Sequence, residues 1–179
     1  MILCGLACVT LLLRQRHFLF EMSPEMACRE IYTQDPFAES VAVGAYLASH
    51  ADPTDTVAVF GSEPQIYFYS HRRSATGYIY TYSLMEDQPR ALQMQYEMAG
   101  EIRAAHPGYI VLVNDPSSWA RKDHSQWWIF YWFDEYKSHY EVVKTFDIWA
   151  DRQLHYDRRE ISKLPFVPST VEILRRKDG

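Results

Sequence analysis

Two short, unbroken apolar runs, 56–60 (Thr-Val-Ala-Val-Phe) and 109–113 (Tyr-Ile-Val-Leu-Val), each follow a helical stripe and a turn. A strand with one wet face alternates apolar and polar residues, whereas a strand covered on both faces reads as a continuous apolar run. Both runs therefore belong in the middle of a sheet with helices on either side. The helix expected over 39–50 presents Val41, Val43, Ala45, Tyr46 and Leu47 and stops at Asp52-Pro53-Thr54-Asp55. The helix expected over 88–105 presents Leu92, Tyr96, Ala99 and Ile102 and stops at His106-Pro107-Gly108. Helix, turn and strand, used twice, predict an α/β fold: a layered, mainly parallel sheet with helices on its faces, Rossmann-like in plan. Residues 76–82 form a weaker strand candidate. Residues 140–146 and 170–174 are expected as later, antiparallel edge strands.

The chain has 179 residues, enough for one core, and three regions are expected: 1–20, 21–37 and 38–179. Residues 2–13 are uncharged and apolar apart from Gly5 and Thr10. A membrane-spanning helix needs about twenty such residues, and no basic residue precedes the run as a secretory signal requires. The region 1–20 therefore reads as a truncated transmembrane or interfacial helix, with an ordinary buried helix as the third reading. Arg14, Arg16 and His17 suit a headgroup layer, and Phe18, Leu19 and Phe20 continue along it. Cys4 and Cys8 lie one helical turn apart, where buried thiols are expected, and with Cys28 they match no zinc or disulfide spacing. Residues 21–37 hold Ser23-Pro24 and Gln34-Asp35-Pro36 and read as a linker. Residues 38–179 are the soluble α/β domain.

A formal net charge of -5 supplies no general attraction for phosphate backbones, and the basic patches Arg72-Arg73 and Arg175-Arg176-Lys177 are short, so nucleic acid is not an expected partner. The aromatic content is higher than a core alone requires: 13 Tyr, 9 Phe and 5 Trp. Residues 126–140 concentrate Trp127, Trp128, Phe130, Tyr131, Trp132, Phe133, Tyr136 and Tyr140. A helix there is either buried on most sides or presents its outer rings to a membrane surface or partner.

The turn after the first run has its own chemistry. Ser62 and Gln65 have the spacing of a capping box, with Glu63 and Pro64 in a first helical turn. The loop at the carboxyl end of a parallel strand is also where open α/β sheets bind ligands. Ser62, Glu63 and Gln65 would offer hydroxyl, carboxylate and amide, Tyr67 and Tyr69 rings, and Arg72 and Arg73 a hold on an anion. Asn114, at the end of the second run, joins these ligand- or domain-contact candidates. Gly-x-Ser-x-Gly, Gly-x-Gly-x-x-Gly, the phosphate-binding P-loop and His-Glu-x-x-His are all absent. The seven histidines are scattered, and Asp151, His155 and Asp157 read as an exposed polar turn. No catalytic residue, metal ligand or cofactor site is expected in this chain.

Phe37-Ala38-Glu39-Ser40, Asp52-Pro53-Thr54-Asp55, the string Val57 to Arg73 (VAVFGSEPQIYFYSHRR), Ser74-Ala75-Thr76-Gly77-Tyr78-Ile79-Tyr80 and Pro107-Gly108-Tyr109-Ile110-Val111-Leu112-Val113-Asn114 together resemble the C-terminal soluble region of bacterial membrane glycosyltransferases. These are similar to the dolichyl-phosphate-mannose protein mannosyltransferase and aminoarabinose transferase superfamily. The resemblance implies a non-catalytic, extracytoplasmic (periplasmic) domain of a membrane-associated enzyme that transfers a sugar from a polyprenyl-phosphate carrier with inversion. The catalytic carboxylate of such enzymes lies in early loops that this chain lacks. The implied partners are the transmembrane bundle, with lipid headgroups or acceptor substrate. Arg14 and Arg16 alone would place the domain in the cytoplasm; the resemblance is followed instead. The alternative is a stand-alone α/β module that binds a saccharide or nucleotide at the Gly61–Gln65 turn.

Overall fold

The computed structural model describes residues 2–32, 35–148 and 169–177. Helix α1 (Ile2–Arg14) passes through a π-helical turn (His17–Glu21) into α2 (Pro24–Tyr32). Then come α3 (Phe37–His50), β1 (Thr56–Phe60), α4 (Gln65–Ser70) and the two-residue β2 (Arg73–Ser74). A short α5 (Tyr82–Met85), α6 (Ala91–Ala105), β3 (Tyr109–Asn114) and α7 (Trp128–Tyr136) follow. A 3-10 turn (Lys137–His139) leads to β4 (Tyr140–Asp147), and β5 (Thr170–Arg176) is the last described strand.

The fold is mixed α/β, built on one sheet of order β2-β1-β3-β5-β4. The apolar runs occupy its middle, as their composition requires. Alternate side chains serve opposite faces. Ala58, Phe60, Ile110 and Leu174 pack with Met98, Ile102, Ile129 and Phe133 of α6 and α7. Val57, Val59, Val111, Val113 and Ile173 pack with Val43, Leu47 and Ile66 of α3 and α4. Gly44 lets α3 and α4 touch, since a Cβ there would lie 2.9 Å from the Tyr69 carbonyl carbon.

The expected mainly parallel sheet is corrected. β1 pairs in parallel with β2 and β3, but β5 runs antiparallel to both β3 and β4. The reversal follows from the register: Asp147 at the end of β4 faces Thr170 at the start of β5, so the chain returns at the same end of the sheet. β5 is therefore interior, and only β4 lies at the edge, whereas both were expected there. Residues 76–82 form no strand. Thr76 Oγ1 and the Gly77 N–H donate to Glu101 at 2.5 and 2.9 Å, and this tether ends β2 at Ser74.

The expected linker over 21–37 is largely helical. The Ser23 hydroxyl accepts from the Met26 N–H at 3.2 Å and Pro24 opens α2, so the pair is a helix start in place of a breaker. The expected burial of Cys4 and Cys8 is also corrected: both are exposed, because α1 packs no apolar face into either cluster. No described helix is long and apolar enough to cross a membrane. In α7, Ile129, Trp132 and Phe133 are buried while Tyr131 is 69% exposed, so the outer ring is left over as its phase demands. Asp151, His155 and Asp157 lie outside the described residues.

Candidate functional site

The chain leaves β1 toward β2 on one side and leaves β3 toward α7 and β4 on the other. The carboxyl ends of β1 and β3 therefore flank a change of winding direction, the position where open sheets present a crevice. Two loops meet there. Gly61 makes the approach, since a Cβ on it would lie 2.6 Å from Ser118 Oγ and 2.9 Å from Val113 Cβ. The Ser62 N–H donates to Ser118 Oγ at 2.8 Å. The Ser62 hydroxyl accepts from the Thr81 N–H at 3.0 Å and lies 2.9 Å from Thr81 Oγ1, which reaches the Ser118 carbonyl at 3.3 Å. Tyr82 closes the loop by donating to the Ser117 carbonyl at 2.8 Å.

These bonds overturn the expected capping box. α4 starts at Gln65 with no side-chain cap, and the Ser62 hydroxyl is spent on Thr81. Gln65 works across the helix start instead: its Nε2 donates to Glu63 Oε2 at 2.6 Å and to Ser40 Oγ at 3.0 Å. Ser40 in turn donates to the Pro36 carbonyl at 2.6 Å, which ties the turn to the first residues of α3.

Glu63 is 4% exposed. Burial holds its carboxyl above the usual carboxylate range, bonds from Gln65 and Ser118 pull the other way, and the charges of Asp35 and Asp115 push it further up. Asp115 accepts from the Ser117 N–H at 2.8 Å, and the Ser117 hydroxyl sits between Asp115 and Asp35, 3.0 Å from the latter. Nearby, Glu39 is buried, bonded to Arg29 at 2.8 Å through Oε1, and its Oε2 has no partner among the described residues. The cluster is thus a set of carboxylates, hydroxyls and one amide. Such groups accept from and donate to the hydroxyls of a polyol, or hold an amine. It contains no histidine that could activate a serine, and no described group of His, Cys, Asp and Glu has a metal-holding arrangement.

Of the candidates named from sequence, Ser62, Glu63 and Gln65 come together here. Tyr67 points into the fold: its hydroxyl accepts from the Val59 N–H at 2.9 Å, on the edge of β1 that the short β2 leaves uncovered, and burial pushes its phenol up. Arg72 is buried at the other end of the sheet, donating to the carbonyls of Ala48 at 3.0 Å, Ala51 at 2.7 Å and Ser70 at 3.0 Å. Arg73 is exposed and stands opposite Thr56, at the start of β1. Asn114 donates to Thr170 Oγ1 at 3.1 Å, beside Asp115. Sequence reasoning missed Thr81, Asp115, Ser117 and Ser118. The signal was available in Asp115-Pro116-Ser117-Ser118, a turn composition directly after a buried strand.

No protein-family model matches this chain, and no curated protein or solved structure gives a significant match.

Proposed function

We propose that the chain is the non-catalytic, extracytoplasmic accessory domain of a polyprenyl-phosphate-sugar-dependent membrane glycosyltransferase, seated on the transmembrane bundle and helping to shape the acceptor side. One observation carries the proposal. α1 is an apolar helix in which every residue from Cys4 to Arg14 is exposed, including Leu6, Val9, Leu11, Leu12 and Leu13. Apolar residues on all sides of a helix demand an apolar surrounding, and lipid or neighbouring helices supply it. In this proposal β2-β1-β3 with α4 and α6 is the Rossmann-like unit of the resemblance, and β5-β4 extends it.

The test is to read the coding frame upstream of Met1 and to co-express the encoded segment with a tagged form of this chain. Several apolar spans with an acidic first loop, and co-purification with them, are the expected result. An in-frame stop before Met1, with no membrane-embedded partner in the purified material, would overturn the proposal.

A second reading, a saccharide- or nucleotide-binding module, is favoured by the buried Glu63–Gln65–Ser118 cluster. Titration with a panel of sugars and nucleotides should give saturable binding that Glu63→Ala with Gln65→Ala abolishes. Absence of saturable binding by the parent removes this reading and leaves the first untouched.

A further inference from the structure

At the end of the sheet opposite Ser62, a cleft of about 630 Å³ lies between the last turn of α6, α7 with its 3-10 turn, and the paired ends of β4 and β5. Its size suits a small-molecule ligand, since such sites run from about 300 to 1,000 Å³. Three cationic side chains line it, Arg103, Arg176 and Lys177, while Glu135 is the one carboxylate among its described lining residues.

The fold brings these cations together for a reason that can be traced. The Arg176 N–H donates to the Gly108 carbonyl and the Lys177 N–H to the His139 carbonyl, both at 2.9 Å, which holds the end of β5 against the start of β3 and the 3-10 turn. Arg176 Nη1 donates to the His106 carbonyl at 3.0 Å and Lys177 Nζ to the Ser138 carbonyl at 2.9 Å. Cations near the carboxyl end of α6 are favoured by its free carbonyls and dipole. That accounts for part of the arrangement, but each contact uses only one of the donors that a guanidinium or ammonium carries. Arg103 lies over the Trp132 ring at 5.9 Å. None of the three makes an ion pair with a described carboxylate, in contrast to Arg175, which binds Glu141 at 2.6 Å.

A second observation comes from beneath them. Trp132, Tyr136 and Tyr140 pack together under the cations, and the buried Trp132 indole N–H has no acceptor among the described residues. A buried donor without an acceptor is rare in folded proteins. A cleft lined by forks and an ammonium that make no ion pair with a described carboxylate suits an anion with several acceptor oxygens.

We propose that this cleft binds a phosphate-bearing ligand, with Arg103, Arg176 and Lys177 on its phosphate oxygens and Trp132 marking the floor. Planar forks and a point charge together suit phosphate better than a single carboxylate. The ligand is either a free phosphate compound or a phosphate headgroup at a membrane surface. This assignment does not rest on the glycosyltransferase reading.

The test uses the full chain in neutral detergent, titrated with inorganic pyrophosphate, and the variant Arg103→Gln with Lys177→Gln. Both side chains are exposed, and circular dichroism checks that the variant keeps the parent fold. In parallel, the two proteins are floated with phosphatidylcholine vesicles with and without phosphatidic acid. α1 contributes equally to parent and variant, so the difference between them reports the cleft. Saturable pyrophosphate binding, weakened at least tenfold in the variant, establishes the site. If the variant also loses a preference for phosphatidic acid vesicles, the source is a headgroup; without any vesicle preference, it is a free ligand. Equal pyrophosphate binding by parent and folded variant, or no saturable binding together with equal flotation, overturns the proposal.

Discussion

The backbone N–H of Ser62 is bonded to the hydroxyl of Ser118 at 2.8 Å, across 56 residues of sequence, so one hydrogen bond joins the loops that follow β1 and β3. Both residues are buried. Ser118→Ala leaves the Ser62 N–H without its acceptor, at an expected cost of about 1–3 kcal/mol. A lowered denaturant midpoint with an unchanged slope is the readout; an unchanged midpoint would show that the amide finds another acceptor.

Gly61 is sterically bound to the same pair. Gly61→Ala should destabilise by about 1–3 kcal/mol, as overpacking does, because the added methyl meets Ser118 Oγ at 2.6 Å and Val113 Cβ at 2.9 Å. Combined with Ser118→Ala, the loss should be smaller than the sum of the single losses, since part of the clash is gone. Strict additivity in a double-mutant cycle would contradict this geometry.

The Glu63 carboxyl carries a pH signature. Its folded value is raised by burial, so the native state holds the proton over a range in which the unfolded chain has released it. Stability should therefore fall as pH rises from the ordinary carboxylate range through the raised value, and the penalty persists at all higher pH. Glu63→Gln removes the charge. The variant should be more stable than the parent at pH above the raised value and lose that advantage as pH falls below it, as thermal melts over a pH series would reveal. A constant difference at every pH would locate the titration elsewhere.

Arg72 is expected to be structural. Its guanidinium ties the carbonyls of Ala48 and Ala51 to that of Ser70, and bonds from a charged donor are worth about 1.5–3 kcal/mol each. Arg72→Met should cost at least about 2 kcal/mol by the same measure. Arg72→Lys should recover only part of it, because an ammonium does not reproduce the fork. Chemical denaturation of the three proteins checks the order.

If α1 is the membrane-seeking element, Leu6→Asp with Leu13→Asp should shift the protein from membrane to soluble fractions more than tenfold, since burying one leucine side chain gains about 1.5–3 kcal/mol. The melting temperature of the rest should not move, because both residues are exposed in the fold. Equal membrane fractionation of parent and variant would remove the observation on which the proposed function stands.

The elements that sequence reasoning found are those determined locally. The run 56–60 coincides with β1, the second run needs only Asn114 to become β3, and α3 and α6 fall within or close to the two expected helical spans, although Val41, Ala45 and Tyr96 of the expected stripes are exposed. What it missed depends on distant partners. Ser62 and Gln65 have the spacing of a capping box, but Thr81 outcompetes the helix for the Ser62 hydroxyl, and no local pattern announces a partner 19 residues away. Arg72 reads as an anion clamp until α3 is seen to deliver its carbonyls to it. The interior place of β5 is hidden for the same reason: its antiparallel direction was expected, but no local pattern shows that it lies between β3 and β4. Of the candidate site, the half contributed by the Gly61–Gln65 turn was legible as a site, whereas Asp115–Ser118 announced only a turn and not its contact with Ser62.

The position of β5 has a consequence during synthesis. It is the last described strand to be made, yet it supplies partners to both β3 and β4. Until it emerges, β3 offers one bare, strongly apolar edge, and β4 has no neighbour among the described strands. A nascent chain in that state is open to pairing with other chains. Any premature stop or long pause upstream of Thr170 should therefore lead to aggregation instead of a stable, smaller domain.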